Sequence, residues 1–236
     1  QGVQPIYRVS TKTGATTRCS AEHLWLVQTY TDLHNKTGKW RVYDTKHLLR
    51  KDGVVRKNKN GSTIYKYFLP TTVPVVGEAH QFVIPPYTLG VLLGDGDITR
   101  GTTFASVDAE IVDRVRSETP DGLVVVPHGK GISWGISLPN GKGYAKGLTP
   151  GDARINPYTQ ELKRLGLQGH GCFTKFIPEI YLHADTDSRL ALLQGLMDTD
   201  GTHNRGTNRP HFTTTSRKLA KGVAALVRSL GGQSTI

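Results

Sequence analysis

Residues 193–202 read LQGLMDTDGT, and this stretch decides the fold. It has the apolar pattern of a helix that carries small residues on one face and ends in two acidic residues before Gly201, a residue that stops helices. A looser copy, LGVLLGDG, occupies residues 89–96. Alignment of the two copies pairs Asp95 with Asp200. The sequence therefore predicts two helices, each with a carboxylate at its tip.

Glycines inside both predicted helices suggest how the two pack. Gly90, Gly94 and Gly195 are poor helix formers, and a helix accepts them where two backbones approach closely. If the helices lie side by side, Asp95 and Asp200 emerge at the same end. Paired carboxylates near phosphates hold divalent cations, which activate water in phosphodiester hydrolysis. A single Asp-Gly pair is typical of any helix end, whereas two matching copies favour a functional site.

A calcium loop of the EF-hand type does not fit the stretch around Asp198. Such a loop needs further oxygen ligands at set offsets, with a glycine after the third of them. Gly201 comes too early for that spacing, and residues 202–204 do not continue the pattern. The sequence excludes this type of site.

The composition limits the function classes. The chain has 236 residues, of which 36% are hydrophobic, enough for one large domain or two small ones. Its net charge of +11 favours a nucleic-acid partner, although a basic protein without one stays an alternative. Two cysteines without a CxxC pattern predict no disulfide framework or zinc site and favour a reducing compartment. No apolar run approaches a membrane span, so a cytoplasmic location is expected.

The order of predicted elements divides the chain in two. Residues 1–84 read as short strands without a long helix, and Pro85 and Pro86 mark a boundary. Residues 85–236 read as helix–strand–strand–helix twice, with repeats over about 85–185 and 186–236. The second repeat lacks its final strands. Five residues are predicted to begin helices: Pro86, Ser106, Pro157, Asp187 and Ser216.

Several blocks resemble one known family in the same order. Residues 193–201 resemble the LAGLIDADG motif of homing endonucleases, and residues 88–96 resemble its first copy in the intein-borne, dodecapeptide-type members. Residues 173–178 resemble the Lys-x-Ile-Pro block between the motifs, and residues 216–231 resemble the helix block after the second motif. Residues 2–27 resemble the intein segment that contains Thr-x-x-His, here with Ser20 in place of the threonine. The start of this segment, residues 2–7, resembles bacterial and phage inteins, which implies a bacterial or phage-infected cell.

The resemblance implies a fold of the α+β class. Residues 1–84 would be an N-terminal, all-β part of a Hint-type protein-splicing domain. Residues 85–236 would be a duplicated αββαββα LAGLIDADG endonuclease whose second repeat is incomplete at its C-terminus.

The resemblance also implies roles for individual residues. Asp95 and Asp200 would be catalytic carboxylates that bind Mg²⁺, with Mn²⁺ as an alternative metal. Lys175 would be an active-site lysine that positions phosphate or polarises water; the alternative is a surface lysine beside a core segment. His23 would protonate the scissile peptide at the upstream splice junction, with Ser20 assisting by a hydrogen bond. Asp198 is usually structural in this family.

The implied activity is a staggered double-strand break in a long DNA target. Family members lay antiparallel strands into the major groove of duplex DNA. The implied partners are therefore double-stranded DNA and the flanking host segments (exteins) of a full intein, and a monomer is expected. The candidate DNA-binding residues are Arg205, Arg209, His211, Lys130, Lys142 and Lys146.

Parts of a complete intein do not appear in the sequence. The family needs an N-terminal Cys or Ser nucleophile and a C-terminal Asn followed by Cys, Ser or Thr, whereas this chain begins at Gln1 and ends at Ile236. We therefore expect a fragment or split half that cannot splice alone. His34-Asn35 and His203-Asn204 imitate the terminal pair, but both lie in mid-chain without a following nucleophile.

Three other functions are compatible with parts of this pattern. The chain could be a DNA-binding module that has lost cleavage, a splicing protein with a decayed endonuclease, or an RNA-binding maturase of a group I intron. Retention of both Asp95 and Asp200 argues against the first, and the splicing-type N-terminal segment argues against the last.

Overall fold

The chain is composed of two compact units. The structure is a computed structural model that describes residues 3–50, 53–129, 131–139, 156–206 and 208–236. The units are Gln1–Val73 and Pro74–Ser234. The boundary between them therefore lies about ten residues before Pro85 and Pro86, where the sequence predicted it. Helices alternate with several small antiparallel sheets, which is the mixed architecture that the α+β class predicts. In the described ranges, no helix is both long and apolar enough to cross a membrane.

Unit 1 is built mainly from short strands. Its elements are β1 Tyr7–Ser10, β2 Thr16–Cys19, β3 Leu24–Thr29, α1 Tyr30–His34, β4 Arg41–Asp44, α2 Thr45–Leu48, β5 Val55–Lys57, β6 Thr63–Tyr65 and β7 Tyr67–Phe68. The prediction of an all-β unit is wrong in detail, because α1 and α2 are helical. Thr29 caps α1 in a capping box with Asp32, and Asp44 caps α2. These local hydrogen bonds allow four or five residues to form a helix.

Unit 2 contains the predicted alternation of helices and hairpins. Its elements are α3 Pro86–Leu93, β8 Gly96–Asp97, β9 Thr103–Ala105, α4 Ala109–Glu118, β10 Val124–Pro127, β11 Ser133–Ser137, α5 Pro157–Arg164, α6 Glu179–Leu182, α7 Thr186–Asp200, β12 Gly201–Asn204, β13 Arg209–Phe212 and α8 Arg217–Ser229. The order α3-β8-β9-α4 recurs as α7-β12-β13-α8. The sheets are β10-β11-β9-β8 and β12-β13.

Three of the five predicted helix starts are correct. Pro86 begins α3, Pro157 begins α5, and Ser216 caps α8 by accepting a hydrogen bond from the Leu219 N–H. The prediction for Ser106 is wrong, because Asp108 caps α4. The prediction for Asp187 is also wrong, since Asp185 caps α7 and Asp187 lies inside its first turn. In both cases two residues of a capping type lie two positions apart, Ser106 with Asp108 and Asp185 with Asp187, and the other member of the pair is the cap.

The helices α3 and α7 lie in direct backbone contact. A Cβ atom added to Gly195 would lie 2.2 Å from the Tyr87 carbonyl oxygen, and one added to Gly90 would lie 2.5 Å from the Leu192 carbonyl oxygen. The predicted close approach at these glycines is confirmed. Fully buried leucines and Val91 surround the contact and form the centre of the core.

Gly195→Ala is expected to destabilise unit 2. The added methyl group meets backbone atoms, which cannot rotate away, so the helices must separate at a cost of about 3 kcal/mol. Urea denaturation of the two proteins would measure this difference. Gly101→Ala is the matched control, because a Cβ there meets nothing within 4 Å. Equal destabilisation by the two alanines would contradict the backbone contact.

Candidate active site

The C-terminal tips of α3 and α7 open onto one cavity of about 320 Å³. The structure brings together there three residues singled out from the sequence: Asp95, Asp200 and Lys175. The remaining lining residues were not predicted as site residues. They are Leu93, Gly94, Cys172, Thr213, Thr214 and Thr215. Their sequence signal is their place beside the family-like blocks: Leu93 and Gly94 lie within residues 88–96, Cys172 directly precedes residues 173–178, and residues 213–215 directly precede residues 216–231.

The two aspartates are placed by equivalent backbone contacts. Asp95 follows α3, and its carbonyl oxygen accepts a hydrogen bond of 3.1 Å from the N–H of Ala105 at the end of β9. Asp200 ends α7, and its carbonyl oxygen accepts a bond of 3.1 Å from the N–H of Thr213, directly after β13. In each repeat, the hairpin that follows the helix therefore holds the acidic turn by its second strand.

The two carboxylates differ in environment and influence each other. Asp95 is exposed, whereas Asp200 is partly buried. Burial raises the pKa of Asp200 above its ordinary value, the negative charge of Asp95 raises it further, and the positive charge of Lys175 opposes both effects. The site thus concentrates negative charge that its own lysine balances only in part.

Lys175 lies under the tip of α3 and is only 4% exposed. Its Nζ donates to the carbonyl oxygens of Leu92 at 3.1 Å, Gly94 at 2.9 Å and Gly96 at 2.7 Å. Burial lowers the pKa of Lys175, and the charges of Asp200 and Asp95 act in the opposite direction. The alternative of a surface lysine does not fit this position. The Lys175 carbonyl oxygen in turn accepts a hydrogen bond of 2.6 Å from the Ser216 hydroxyl.

Asp198 lies two residues before Asp200, and its carboxylate has a hydrogen-bond partner of its own. The Tyr87 hydroxyl donates to its carboxylate at 2.9 Å, and burial together with this hydrogen bond raises the pKa of Tyr87. The guanidinium of Arg114 lies 3.6 Å from the centre of the Tyr87 ring. Asp198 does not line the cavity. Its hydrogen bond links α7 to the start of α3, which agrees with a structural role.

The donor set of the cavity fits a hard divalent cation. Carboxylate oxygens are the ligands that Mg²⁺ prefers, and Mg²⁺ is usually held by one or two carboxylates together with waters and substrate phosphates. The described residues contain no group of three or more His, Cys, Asp or Glu side chains arranged to hold a metal alone. Asp95 and Asp200 therefore fit a metal that is bound jointly with a phosphate, and they do not form a closed protein cage.

The predicted DNA-contacting residues of the second repeat lie on an exposed hairpin. In the register of β12 and β13, Thr202 pairs with His211 and Asn204 with Arg209, so these four share one face. Phe212 lies on the other face and packs against the core. Arg209 and His211 therefore point away from the core, and Arg205 is exposed in the turn. The predicted contacts Lys130, Lys142 and Lys146 lie outside the described residues.

The predicted splicing residues lie in unit 1. The His23 N–H donates to the Ser20 carbonyl oxygen at 3.4 Å, and the exposed His23 ring meets Trp25 edge-on at 4.8 Å between centroids. Thr45, which the sequence did not single out, makes hydrogen bonds to His23 and Trp25. Its hydroxyl accepts from the Trp25 indole at 2.9 Å, and its N–H donates to the His23 carbonyl oxygen at 3.0 Å.

Comparison with known protein families finds a match at the C-terminal end of the chain. The family model described as LAGLIDADG-like domain matches residues 187–236, which contain most of α7, the β12–β13 hairpin and α8. This match supports a LAGLIDADG endonuclease, a family of DNA hydrolases. The protein named Replicative DNA helicase DnaB, from Mycobacterium intracellulare, is 30% identical over 151 residues. That alignment covers 64% of this chain and 20% of the relative, so the chain spans about a fifth of the relative's length.

Asp200→Asn is expected to stabilise the fold at neutral pH. A folded-state pKa above the ordinary value means that the ionised carboxylate opposes folding at pH 7, and that this penalty fades as the pH falls toward 3.8. The gain in unfolding free energy should therefore be present at pH 7 and absent below pH 3.8. Chemical denaturation at both pH values tests it. Asp187→Asn, at the opposite end of α7, should bring no such gain; equal behaviour of both variants would refute the assignment.

Proposed function

We propose that this chain is an intein fragment that carries a site-specific DNA homing endonuclease with residual protein-splicing elements. The endonuclease would make a staggered double-strand break by metal-dependent phosphodiester hydrolysis. One observation carries the proposal: the tips of α3 and α7, held together at Gly90 and Gly195, present Asp95 and Asp200 to one cavity.

The residues of the cavity have separable tasks in this proposal. Mg²⁺, when bound, would supply the Lewis acidity that activates water and stabilises the leaving oxygen. Asp95 and Asp200 would hold it, one carboxylate from each repeat. The negative charge of Asp95 raises the pKa of Asp200 in addition to burial, and a bound cation would relieve this repulsion between the two carboxylates. The threonines 213–215 offer uncharged polar groups at the rim, where a phosphate can enter without meeting further negative charge.

DNA would reach the cavity along the β12–β13 hairpin. This hairpin starts at Gly201, directly after Asp200, so a strand that follows its outer face arrives at the carboxylate. Arg209 and His211 lie on that face and Arg205 in the turn, where they can contact phosphates or base edges. The net charge of +11 supports a polyanionic target.

The intein part of the proposal is supported by the comparison and by unit 1. A LAGLIDADG-like segment in a chain that also resembles a protein named a replicative helicase is what an intein inside a helicase gene would produce. In unit 1, Leu24, Leu26 and Val42 share one face of the β3–β4 pair and are 64%, 45% and 58% exposed. An apolar sheet face of this kind suits a Hint-type part whose remaining strands come from elsewhere in the precursor.

Cleavage should depend on both carboxylates. The full chain with Mg²⁺ should linearise a plasmid that carries the uninterrupted helicase gene of the source organism. Asp95→Asn and Asp200→Asn should each slow cleavage on the order of 100-fold or more, because each removes a metal ligand. Sequencing of the product ends would test the stagger.

Asp198→Asn is the matched control, since it changes the same residue type two positions before Asp200 and outside the cavity; it should cut at the unaltered rate. A chain that binds the plasmid without cutting it would favour the DNA-binding alternative. An unchanged rate in Asp200→Asn would refute the catalytic assignment.

Splicing of the complete precursor should depend on His23. In a precursor with both flanking host segments, His23→Ala removes the proposed proton donor and should slow splicing by about 10²- to 10⁴-fold. Gel electrophoresis of the ligated host product would measure it. His34→Ala, another exposed histidine of unit 1, is the control and should splice normally. Normal splicing in His23→Ala would show that this turn has no such role.

A further inference from the structure

The buried ammonium of Lys175 is committed to the backbone. A lysine has three N–H donors and no acceptor. All three find carbonyl oxygens within 3.1 Å, at Leu92, Gly94 and Gly96. In this arrangement Lys175 has no donor left for a phosphate or a water molecule.

These three carbonyl groups surround the residue that carries the carboxylate. They belong to the last turn of α3 and to the two neighbours of Asp95, and the carbonyl of Asp95 itself is held by Ala105. The final carbonyls of a helix have no partner within the helix, and a cation at this end also opposes the negative end of the helix dipole. Lys175 thus fixes the Asp95 turn on one side, β9 fixes it on the other, and the exposed carboxylate is left facing the cavity.

Ser216 holds Lys175 in turn. This serine is fully buried, and its hydroxyl makes two hydrogen bonds: it donates to the Lys175 carbonyl oxygen at 2.6 Å and accepts from the Leu219 N–H at 3.2 Å. The start of α8 is therefore joined through Lys175 to the end of α3.

The tip of α7 has a different support. There the hydroxyl of Thr199 donates to the carbonyl oxygens of Gly195 and Leu196, both at 3.0 Å. The two acidic turns occupy equivalent places in the two repeats but have different hydrogen-bond supports. The carbonyls around Asp95 accept from the Lys175 ammonium, whereas the hydroxyl beside Asp200 bonds to carbonyls of its own helix. The charge of Lys175 acts on both carboxylates.

We propose that Lys175 and Ser216 are positioning residues that shape the Asp95 turn for cation binding, and that Lys175 does not touch the DNA. This inference rests on the proposed function, since it assigns the metal-binding role to Asp95. It replaces the expectation that Lys175 positions phosphate or polarises water.

Lys175→Met and Ser216→Ala test the inference in the full chain. Each has a matched control: Lys163→Met removes an exposed lysine from α5, and Asp108→Ala removes a helix cap from α4. Both test variants should raise the Mg²⁺ concentration for half-maximal cleavage about tenfold or more, because they loosen the support of a metal ligand. Both controls should leave it unchanged.

DNA affinity as a function of salt gives a second readout that does not depend on cleavage. A lysine that contacts a phosphate contributes about 0.9 to the slope of log affinity against log salt. The slope of Lys175→Met should equal that of the unaltered chain. A fall of about 0.9, or an unchanged Mg²⁺ requirement, would overturn the inference.

Two further outcomes are also decisive. If circular dichroism shows that Lys175→Met is unfolded, the comparison of Ser216→Ala with Asp108→Ala decides, because both lose a helix cap and only the first releases Lys175. If the unaltered chain neither binds nor cuts DNA, the proposed function fails. Amide hydrogen exchange at residues 94–97 then tests the cap alone: faster exchange in Ser216→Ala than in Asp108→Ala supports it, and equal exchange overturns it.

Discussion

The backbone contact between α3 and α7 is the constraint on which the rest of unit 2 depends. Hydrophobic burial alone would bring two apolar helices together at the usual spacing of 8–10 Å. The glycines at 90 and 195 let the backbones come closer, to the point where a methyl group on either would meet main-chain atoms of the other helix. Because the two helices share this contact, their C-terminal ends have one fixed relation. The backbone positions from which Asp95 and Asp200 extend are then set by the packing of the two helices.

Electrostatics at the two tips works against stability. Asp200 is partly buried and beside a second carboxylate, so its ionised form is unfavourable in the folded protein. Lys175 reduces this penalty, but its charge is itself buried and its pKa is lowered by that burial. A fold selected only for stability would place neutral residues here. Ionisable groups with opposed shifts around one cavity are typical of a functional site.

The sequence predicted what depends on local pattern and missed what depends on tertiary approach. The apolar period and the small residues gave the helices, their glycine contact and the shared position of Asp95 and Asp200. The short helices of unit 1 were not predicted, because four or five residues are too few to show a helical period of apolar residues. The Thr29-x-x-Asp32 capping box was the sequence signal that could have predicted α1. The hydrogen-bond acceptors of Lys175 could not be predicted, since three carbonyls from residues about 80 positions away converge on Nζ only after α3 and the Lys175 segment have packed.

The two ends of α7 show how a polar residue can be as structural as a leucine. Arg189 lies in the first turn of this helix and is 1% exposed. Its guanidinium donates to the carbonyl oxygens of Ala184, Val75 and, at the end of α8, Ser229. A buried charge is costly unless its donors are satisfied, and here satisfying them ties three chain segments to the start of α7. The glycine contact with α3 fixes the middle of the helix, and the Thr213 bond to Asp200 fixes its end. A carboxylate on a helix held at three points has little freedom to retreat from its neighbour, and this explains how the structure sustains the repulsion at its tip.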